Sequence, residues 1–201
     1  MRFIAALTLT LFTLFAAPLQ SADWSRVADL LEQSVLFVAT SASTCTGSVI
    51  NESRNLVLTA AHCDGTNVLV DQRPAKTIAK DARKDLLVLE VKDLDHPALK
   101  LAADDPKRGD QVSSFGFGYG LERPLLRLTY VSDDRTYIDS IGGPWIVTDA
   151  TFAAGQSGGP LVNGVGDIVG IVLRGTSETG LALGAREIRS KVGRYFEKDP
   201  K

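Results

Sequence analysis

Cysteine and histidine are scarce in this chain of 201 residues: there are two of each, Cys45, Cys63, His62 and His96. No Cys-x-x-Cys pair occurs, so a zinc site is a poor reading of these four residues and no metal is expected. An excess of one charge is also missing. Lys and Arg number 22 against 24 Asp and Glu. Both signs are interspersed, and no basic cluster of the kind that draws nucleic acid or an anionic membrane is present. A membrane-length apolar run is absent too. The uncharged stretch from Phe3 to Phe15 falls short of the roughly 20 residues that span a bilayer, and the helix-breaking Pro18 follows it. No internal repeat of fixed period is visible, which argues against a solenoid or propeller.

What is present at the start is a targeting pattern. Arg2 precedes the apolar run, and Ala16-Ala17 and Ser21-Ala22 offer small residues for cleavage, so residues 1–22 read as a signal peptide. A cut after Ala22 is favoured because Pro18 disfavours one after Ala17. The mature chain is then expected to be secreted or periplasmic, with no membrane association after cleavage. In an oxidising compartment, two cysteines with no remainder suggest one disulfide. They lie 18 residues apart, a loop whose closure is worth about 3 kcal/mol in chain entropy.

Residues 23–201 have enough apolar content for one compact domain, at 44% of the whole chain. Trp24, Val27, Leu30 and Leu31 share a helical face, with Asp23 as N-cap, and predict a helix over 23–33. Short β-branched or Leu-rich runs follow: Val35–Thr40, Gly47–Ile50, Leu56–Thr59, Asn67–Val70, Leu86–Val91, Gln111–Phe115, Leu125–Val131, Trp145–Thr148, Leu161–Val162 and Ile168–Leu173. Turn signals separate them, among them Asp64-Gly65, Gly142-Gly143-Pro144 and Asn163-Gly164. Many short strands at this spacing indicate an all-β sandwich or barrel. The polar stretch Asp104–Asp110 divides the pattern, giving a first half over about 34–103 and a second over about 108–184. Ile188, Val192, Tyr195 and Phe196 then predict a C-terminal helix over about 185–197.

The chemistry-bearing residues fall in both halves. Thr59-Ala60-Ala61-His62-Cys63 and Asp85-Leu86-Leu87 lie in the first, and Ala154-Gly155-Gln156-Ser157-Gly158-Gly159-Pro160 in the second. A serine hydroxyl needs a base within hydrogen-bond reach, and the base needs an orienting acceptor. An imidazole, with an ordinary pKa of about 6.5, suits the first role. A carboxylate suits the second, because it fixes the ring tautomer and stabilises the imidazolium. The amides of Gly155 and Ser157 could hold an oxyanion. Taken singly, each piece has a plainer explanation. The glycine-rich loop reads as a turn, His62 as a core histidine, and Asp85 as a cap, with Asp81 as its rival for the acidic role. His96, before Pro97, reads as a loop residue. Together, in the order His…Asp…Ser, they match one of the convergent catalytic triads. The order Ser…Asp…His of lipases and esterases is absent.

The histidine and serine segments resemble the two signatures of chymotrypsin-like (trypsin-fold) serine proteases, and the Cys45–Cys63 pair resembles that family's bridge beside the histidine. Val27–Val35, Leu101–Asp104 with Arg108-Gly109-Asp110, and Thr148–Asn163 are similar to bacterial HtrA-type proteases. The resemblance implies two six-stranded antiparallel β-barrels with a cleft between them. It implies His62 as base, Asp85 as orienter, Ser157 as nucleophile, and an oxyanion hole from Gly155 and Ser157. It places Thr151 at the base of the primary substrate pocket, Phe152 as a narrowing residue, and Leu173, Arg174 and Gly175 along the wall. With no acid at Thr151, a small or medium uncharged substrate residue is expected there, and Arg174 could favour an acidic neighbour. Protein or peptide substrates and no cofactor are implied; the alternative is an inactive binding protein on the same scaffold. The sequence departs from the family pattern in three ways. Gln156 stands where digestive enzymes carry an aspartate that pairs with a newly cut N-terminus, so activation by that pair is not expected. The chain reaches residue 201 before any PDZ domain, so PDZ-based peptide sensing is not expected. The 23 residues from His62 to Asp85 are few for the trypsin branch and require a trimmed connecting hairpin.

Overall fold

Apolar runs without polar alternation are the mark of strands buried on both faces. Leu56–Ala60 (β3) and Leu86–Val91 (β6) are two such runs, and they pair antiparallel with Leu58 opposite Val88. The computed structural model of the chain describes residues 21–138 and 141–197. The signal-peptide reading therefore lies almost wholly outside the described residues. With Val35–Ala39 (β1), Thr44–Asn51 (β2), Leu69–Val70 (β4) and Arg73–Asp81 (β5), these strands close a barrel in the order β1-β2-β3-β6-β5-β4. The second barrel closes as β10-β11-β12-β9-β8-β7. Its strands are Gln111–Gly116 (β7), Leu125–Ile138 (β8), Gly142–Thr148 (β9), Pro160–Val162 (β10), Ile168–Gly175 (β11) and Gly180–Gly184 (β12). The fold is thus mostly β, two closed six-stranded antiparallel barrels with a short helix near each end, as the sequence resemblance implies.

Differences from the sequence reading have local causes. The β5 strand is exposed or half-buried throughout, so its polar sequence carries no core pattern. The β12 strand, Gly-Leu-Ala-Leu-Gly, is wholly buried but too short and glycine-rich to signal itself. The Gly142-Gly143-Pro144 segment, read as a turn, opens β9, and β8 runs on past Val131 to Ile138. These two strands shift register three times, and such irregular pairing tolerates a proline without an N–H. Between His62 and Asp85 the chain forms one hairpin, the two-residue β4 paired with β5.

Trp24–Glu32 (α1) starts at Asp23, whose carboxylate accepts the Arg26 amide at 3.1 Å. It buries Val27 and Leu31, while Leu30, at 39% exposure, lies over the β10–β11 turn at Gly166. Ala185–Val192 (α2) ends earlier than expected, and a tighter 3₁₀ turn completes it over Gly193–Tyr195. Glycine's low helix propensity fits this change. The interbarrel segment caps α2 from outside: Asp105 accepts the Arg186 amide at 2.9 Å, and the Arg186 side chain pairs with Asp104 at 2.8 Å. No helix among the described residues is long and apolar enough to cross a membrane.

One apolar cluster fills the first barrel and continues into the interface, where Val38, Leu58 and Leu87 join Phe115 and Leu183. Phe37 and Phe117 meet edge to face across it, with ring centroids 5.3 Å apart. A second cluster, including Val112, Ile146, Phe152 and Leu161, lies inside the second barrel. Cys45 and Cys63 form a disulfide spanning 18 residues, and it ties β2 to the 3₁₀ turn Ala61–Cys63 that carries His62. Replacing both cysteines by alanine is expected to lower unfolding free energy by about 3 kcal/mol. Urea unfolding checks this, and an unchanged midpoint would contradict it.

Candidate active site

The 3₁₀ turn Ala61–Cys63 follows β3 directly, and its backbone is held by the strand on the other side of Asp85. The Ala61 amide donates to Asp85 O at 3.0 Å. Asp85 ends the β5–β6 turn at φ 58, a left-handed conformation that aspartate tolerates better than most residues. Asp81, its rival in the sequence, is used differently. Its Oδ1 accepts the Arg83 and Lys84 amides and shapes this turn. The Asp85 side chain instead faces His62 with both oxygens. Oδ1 accepts the His62 amide at 2.8 Å, and Oδ2 lies 2.7 Å from His62 Nδ1. The imidazole side chain is 43% exposed and the carboxylate 11%. Burial works to raise the Asp85 carboxyl. Hydrogen bonds from the His62 ring and amide outweigh it, Arg174 adds its positive charge, and the group sits below the ordinary carboxylate value. The remaining ring nitrogen, Nε2, makes no hydrogen bond among the described residues.

Ser157 comes from the loop between β9 and β10. Its hydroxyl faces Leu173 O on β11 at 3.4 Å. No hydrogen bond joins it to His62 among the described residues. The segments adjoin nonetheless, since Cys63 Sγ lies 4.0 Å from Ser157 O, which also accepts the Thr46 amide at 2.8 Å.

The loop before Ser157 is fixed peptide by peptide. Ala154 O accepts the Tyr119 amide at 2.9 Å, and a trans peptide then turns the Gly155 N–H the opposite way. Gly155 O accepts from Thr46 Oγ1 at 2.8 Å, and that hydroxyl oxygen in turn accepts the Phe117 amide at 2.9 Å. The Gln156 amide donates to Ala153 O, while Gln156 Oε1 accepts the Ala153 amide at 2.8 Å. The amides of Gly155 and Ser157 donate to nothing among the described residues. Glycine is required at two positions here. At Gly155, φ is +95 and a Cβ would lie 2.1 Å from Phe117 O; at Gly158, φ is +82 and a Cβ would lie 2.2 Å from Thr59 Oγ1.

The sequence reading did not single out Thr46, Tyr119 or the inward turn of Gln156. Thr46 sits one residue after Cys45 in a strand far from the serine loop in sequence, and only barrel packing brings it there. Gln156 is buried at 2% exposure, and its side chain closes its own loop from within, where digestive enzymes use a cut N-terminus.

Of the five residues assigned to the substrate pocket, Leu173 meets the Ser157 hydroxyl through its carbonyl, Gly175 packs against Thr151 and Phe152, and Arg174 lines a cavity with His62. A Cβ on Gly175 would lie 2.8 Å from Phe152 O and 2.9 Å from Thr151 Oγ1. Thr151 Oγ1 also donates to Thr176 O. The Phe152 ring belongs to the second-barrel cluster and abuts Gly180, and it is the Phe152 carbonyl that faces Gly175. His96 is apart from this site, with Nδ1 2.8 Å from Gln33 O. Cys45, His62 and Cys63 place ligand-type atoms within 4.8 Å of one another, but the disulfide leaves no thiolate to bind a metal.

The trypsin-like peptidase domain matches residues 45–171. A probable periplasmic serine endoprotease, DegP-like, of Pseudomonas fluorescens is 32% identical over 123 residues, covering 57% of this chain and 26% of the relative. Its counterpart in Hahella chejuensis is 36% identical over 106 residues, 51% of this chain and 23% of the relative. The chain thus spans about a quarter of the length of these relatives. Among solved structures, the Rv3671c protease in an inactive form is 27% identical with a TM-score of 0.72, covering 89% of this chain and 98% of that one. The HtrA-type protease AlgW with a tripeptide reaches a TM-score of 0.77 at 21% identity, over 87% of this chain and 64% of that one, a likeness of fold. With the matched segment running from the first disulfide cysteine, through His62, Asp85 and Ser157, into β11, this chain belongs to the trypsin-like peptidase family.

Proposed function

We propose that this chain is an exported serine endopeptidase that cleaves protein or peptide substrates through an acyl-enzyme. The observation that carries the reading is the pairing of His62 with Asp85 beside a serine flanked by two unengaged amides. Asp85 holds the Nδ1 proton, so Nε2 is the basic nitrogen. Attack requires the Ser157 hydroxyl to leave Leu173 O and donate to Nε2. The Ser157 oxygen then bonds to the substrate carbonyl carbon as its proton passes to His62. The carbonyl oxygen gains negative charge and accepts from the Gly155 and Ser157 amides. His62 next protonates the leaving amine, and the carbon–nitrogen bond breaks. Water, deprotonated by the same nitrogen, hydrolyses the ester and frees Ser157.

β11 offers its edge to the substrate beyond Val172, whose amide and carbonyl still bond to Gly159 and Gly158. A peptide adding there as a strand would donate the N–H of its attacked residue to Leu173 O. The contact between Gly175 and the Thr151–Phe152 backbone leaves room for a small side chain, so alanine or valine fits this position better than phenylalanine, lysine or arginine. Export rests on the sequence pattern of residues 1–22 and on relatives named as periplasmic.

A fluorophosphonate probe tests the reading. It should label the mature chain stoichiometrically at Ser157, as mapped by peptide mass spectrometry, and label neither Ser157→Ala nor His62→Ala. Absence of labelling in the parent chain would favour the inactive binding protein instead.

A further inference from the structure

Beside His62 lies a cavity of about 510 Å³, lined by His62, Lys80, Arg83, Ile141, Trp145 and Arg174 among others. Among the described residues its lining carries Lys80, Arg83 and Arg174 against one carboxylate, Asp85. Lys80 is neutralised by Asp64 at 2.9 Å. Asp85 accepts from the His62 ring and amide and keeps its negative charge, which lies near Arg174, so it offsets only one of the two remaining guanidinium charges. The guanidinium groups of Arg83 and Arg174 have no acidic hydrogen-bond partner among the described residues. Both residues are exposed, so both can reach a ligand in the cavity.

Arg174 follows Leu173, whose carbonyl stands 3.4 Å from the Ser157 hydroxyl. A substrate strand lying along Leu173–Gly175 with its carbonyl at Ser157 points that residue's side chain toward Thr151 and Gly175. Side chains alternate faces along an extended strand. The preceding residue therefore points the opposite way, over the His62 ring and into this cavity. We infer that the cavity selects a glutamate or aspartate at the residue immediately before the one whose carbonyl is attacked, gripped by Arg174 and Arg83, with Trp145 and Ile141 against its methylene stem. The inference rests on the peptidase reading for its register. A guanidinium recognises a carboxylate through paired N–H donors, which a neutral amide of the same shape cannot match.

The experiment compares three labelled peptides with a common alanine at the attacked position and Glu, Gln or Lys before it. On the parent chain, kcat/KM should be about tenfold higher for Glu than for Gln, and lower again for Lys. Raising the salt from about 0.05 to 0.5 M should shrink the Glu advantage, as expected for exposed charges. Arg174→Glu should invert the order of Glu and Lys, and Arg83→Ala should reduce the Glu advantage without inverting it. Equal rates for Glu and Gln on the parent overturn the inference. So does an Arg174→Glu protein that slows all three peptides alike, because Arg174 would then act only through the charge of Asp85. Fluorescence polarisation on Ser157→Ala, where no turnover intervenes, should give the same order of Kd values. That readout separates two failures: loss of fluorophosphonate labelling sinks the peptidase reading, while labelling with no Glu preference in binding or turnover sinks this one alone.

Discussion

Replacing Ser157 with alanine is expected to lower peptide turnover by about a millionfold, leaving only the catalysis that binding and the oxyanion amides supply without a nucleophile. The size of the effect follows from how little else the hydroxyl does. Among the described residues it makes one hydrogen bond, to Leu173 O, long at 3.4 Å, so its removal costs little stability. The surrounding loop is held by contacts from Thr46, Tyr119 and Gln156 that the substitution leaves alone. The variant should therefore unfold at nearly the parental urea concentration while losing its activity. Release of fragments from an unstructured protein such as casein measures the rate. Cleavage at the parental rate would refute Ser157 as the nucleophile, and a collapsed urea midpoint would assign the loss to folding.

The second large effect is expected at Asp85. Asp85→Asn should reduce kcat by about 10⁴-fold at neutral pH. In the parent, the two carboxylate oxygens accept from both the His62 ring and its amide. An asparagine can accept with only one atom. If its oxygen keeps the backbone amide, its NH₂ faces Nδ1 and forces the ring proton onto Nε2, the nitrogen that must act as base. The pH dependence of stability should change as well. The folded-state carboxyl is held below its ordinary value, so it contributes stability that is fully present above the unfolded carboxyl value of about 3.9. That contribution disappears as pH falls through the lower folded value. Urea midpoints between about pH 2 and 6 should show this acid loss in the parent and a flatter profile in the variant. A variant with parental kcat would remove Asp85 from the mechanism.

Where the sequence was legible, one local signal sufficed. Asp23 before an apolar helical face marked α1, and the run Leu86–Val91, interrupted only by Glu90, marked β6 with its ends in place. The histidine and serine segments stood out because each needs an unusual local composition. β5 was not legible, because its polar residues face solvent in a closed sheet and owe their conformation to the ladder with β6. β12 was hidden for the opposite reason: its two glycines and short length give no period, and burial comes from neighbours far away in sequence. The resemblance pointed to Asp85 over Asp81, and the fold supplies the local reason: Asp81 accepts the turn amides of Arg83 and Lys84 while the Asp85 carboxylate faces His62.

The parts of this site are written along the chain: which histidine, which glycine loop, which cysteines, and an all-β pattern divided near residue 104. Composition and period are local properties, and these assignments depend on nothing more. How the parts are used came from the packing of distant segments. Thr46 reaches Gly155 across 109 residues, Gln156 folds onto its own loop, and Gly175 closes against Phe152. Arg83 and Arg174, from different barrels, come to share one cavity. All but the Gln156 turn are contacts between segments that meet only when two barrels close and pack, and no local pattern encodes such a meeting.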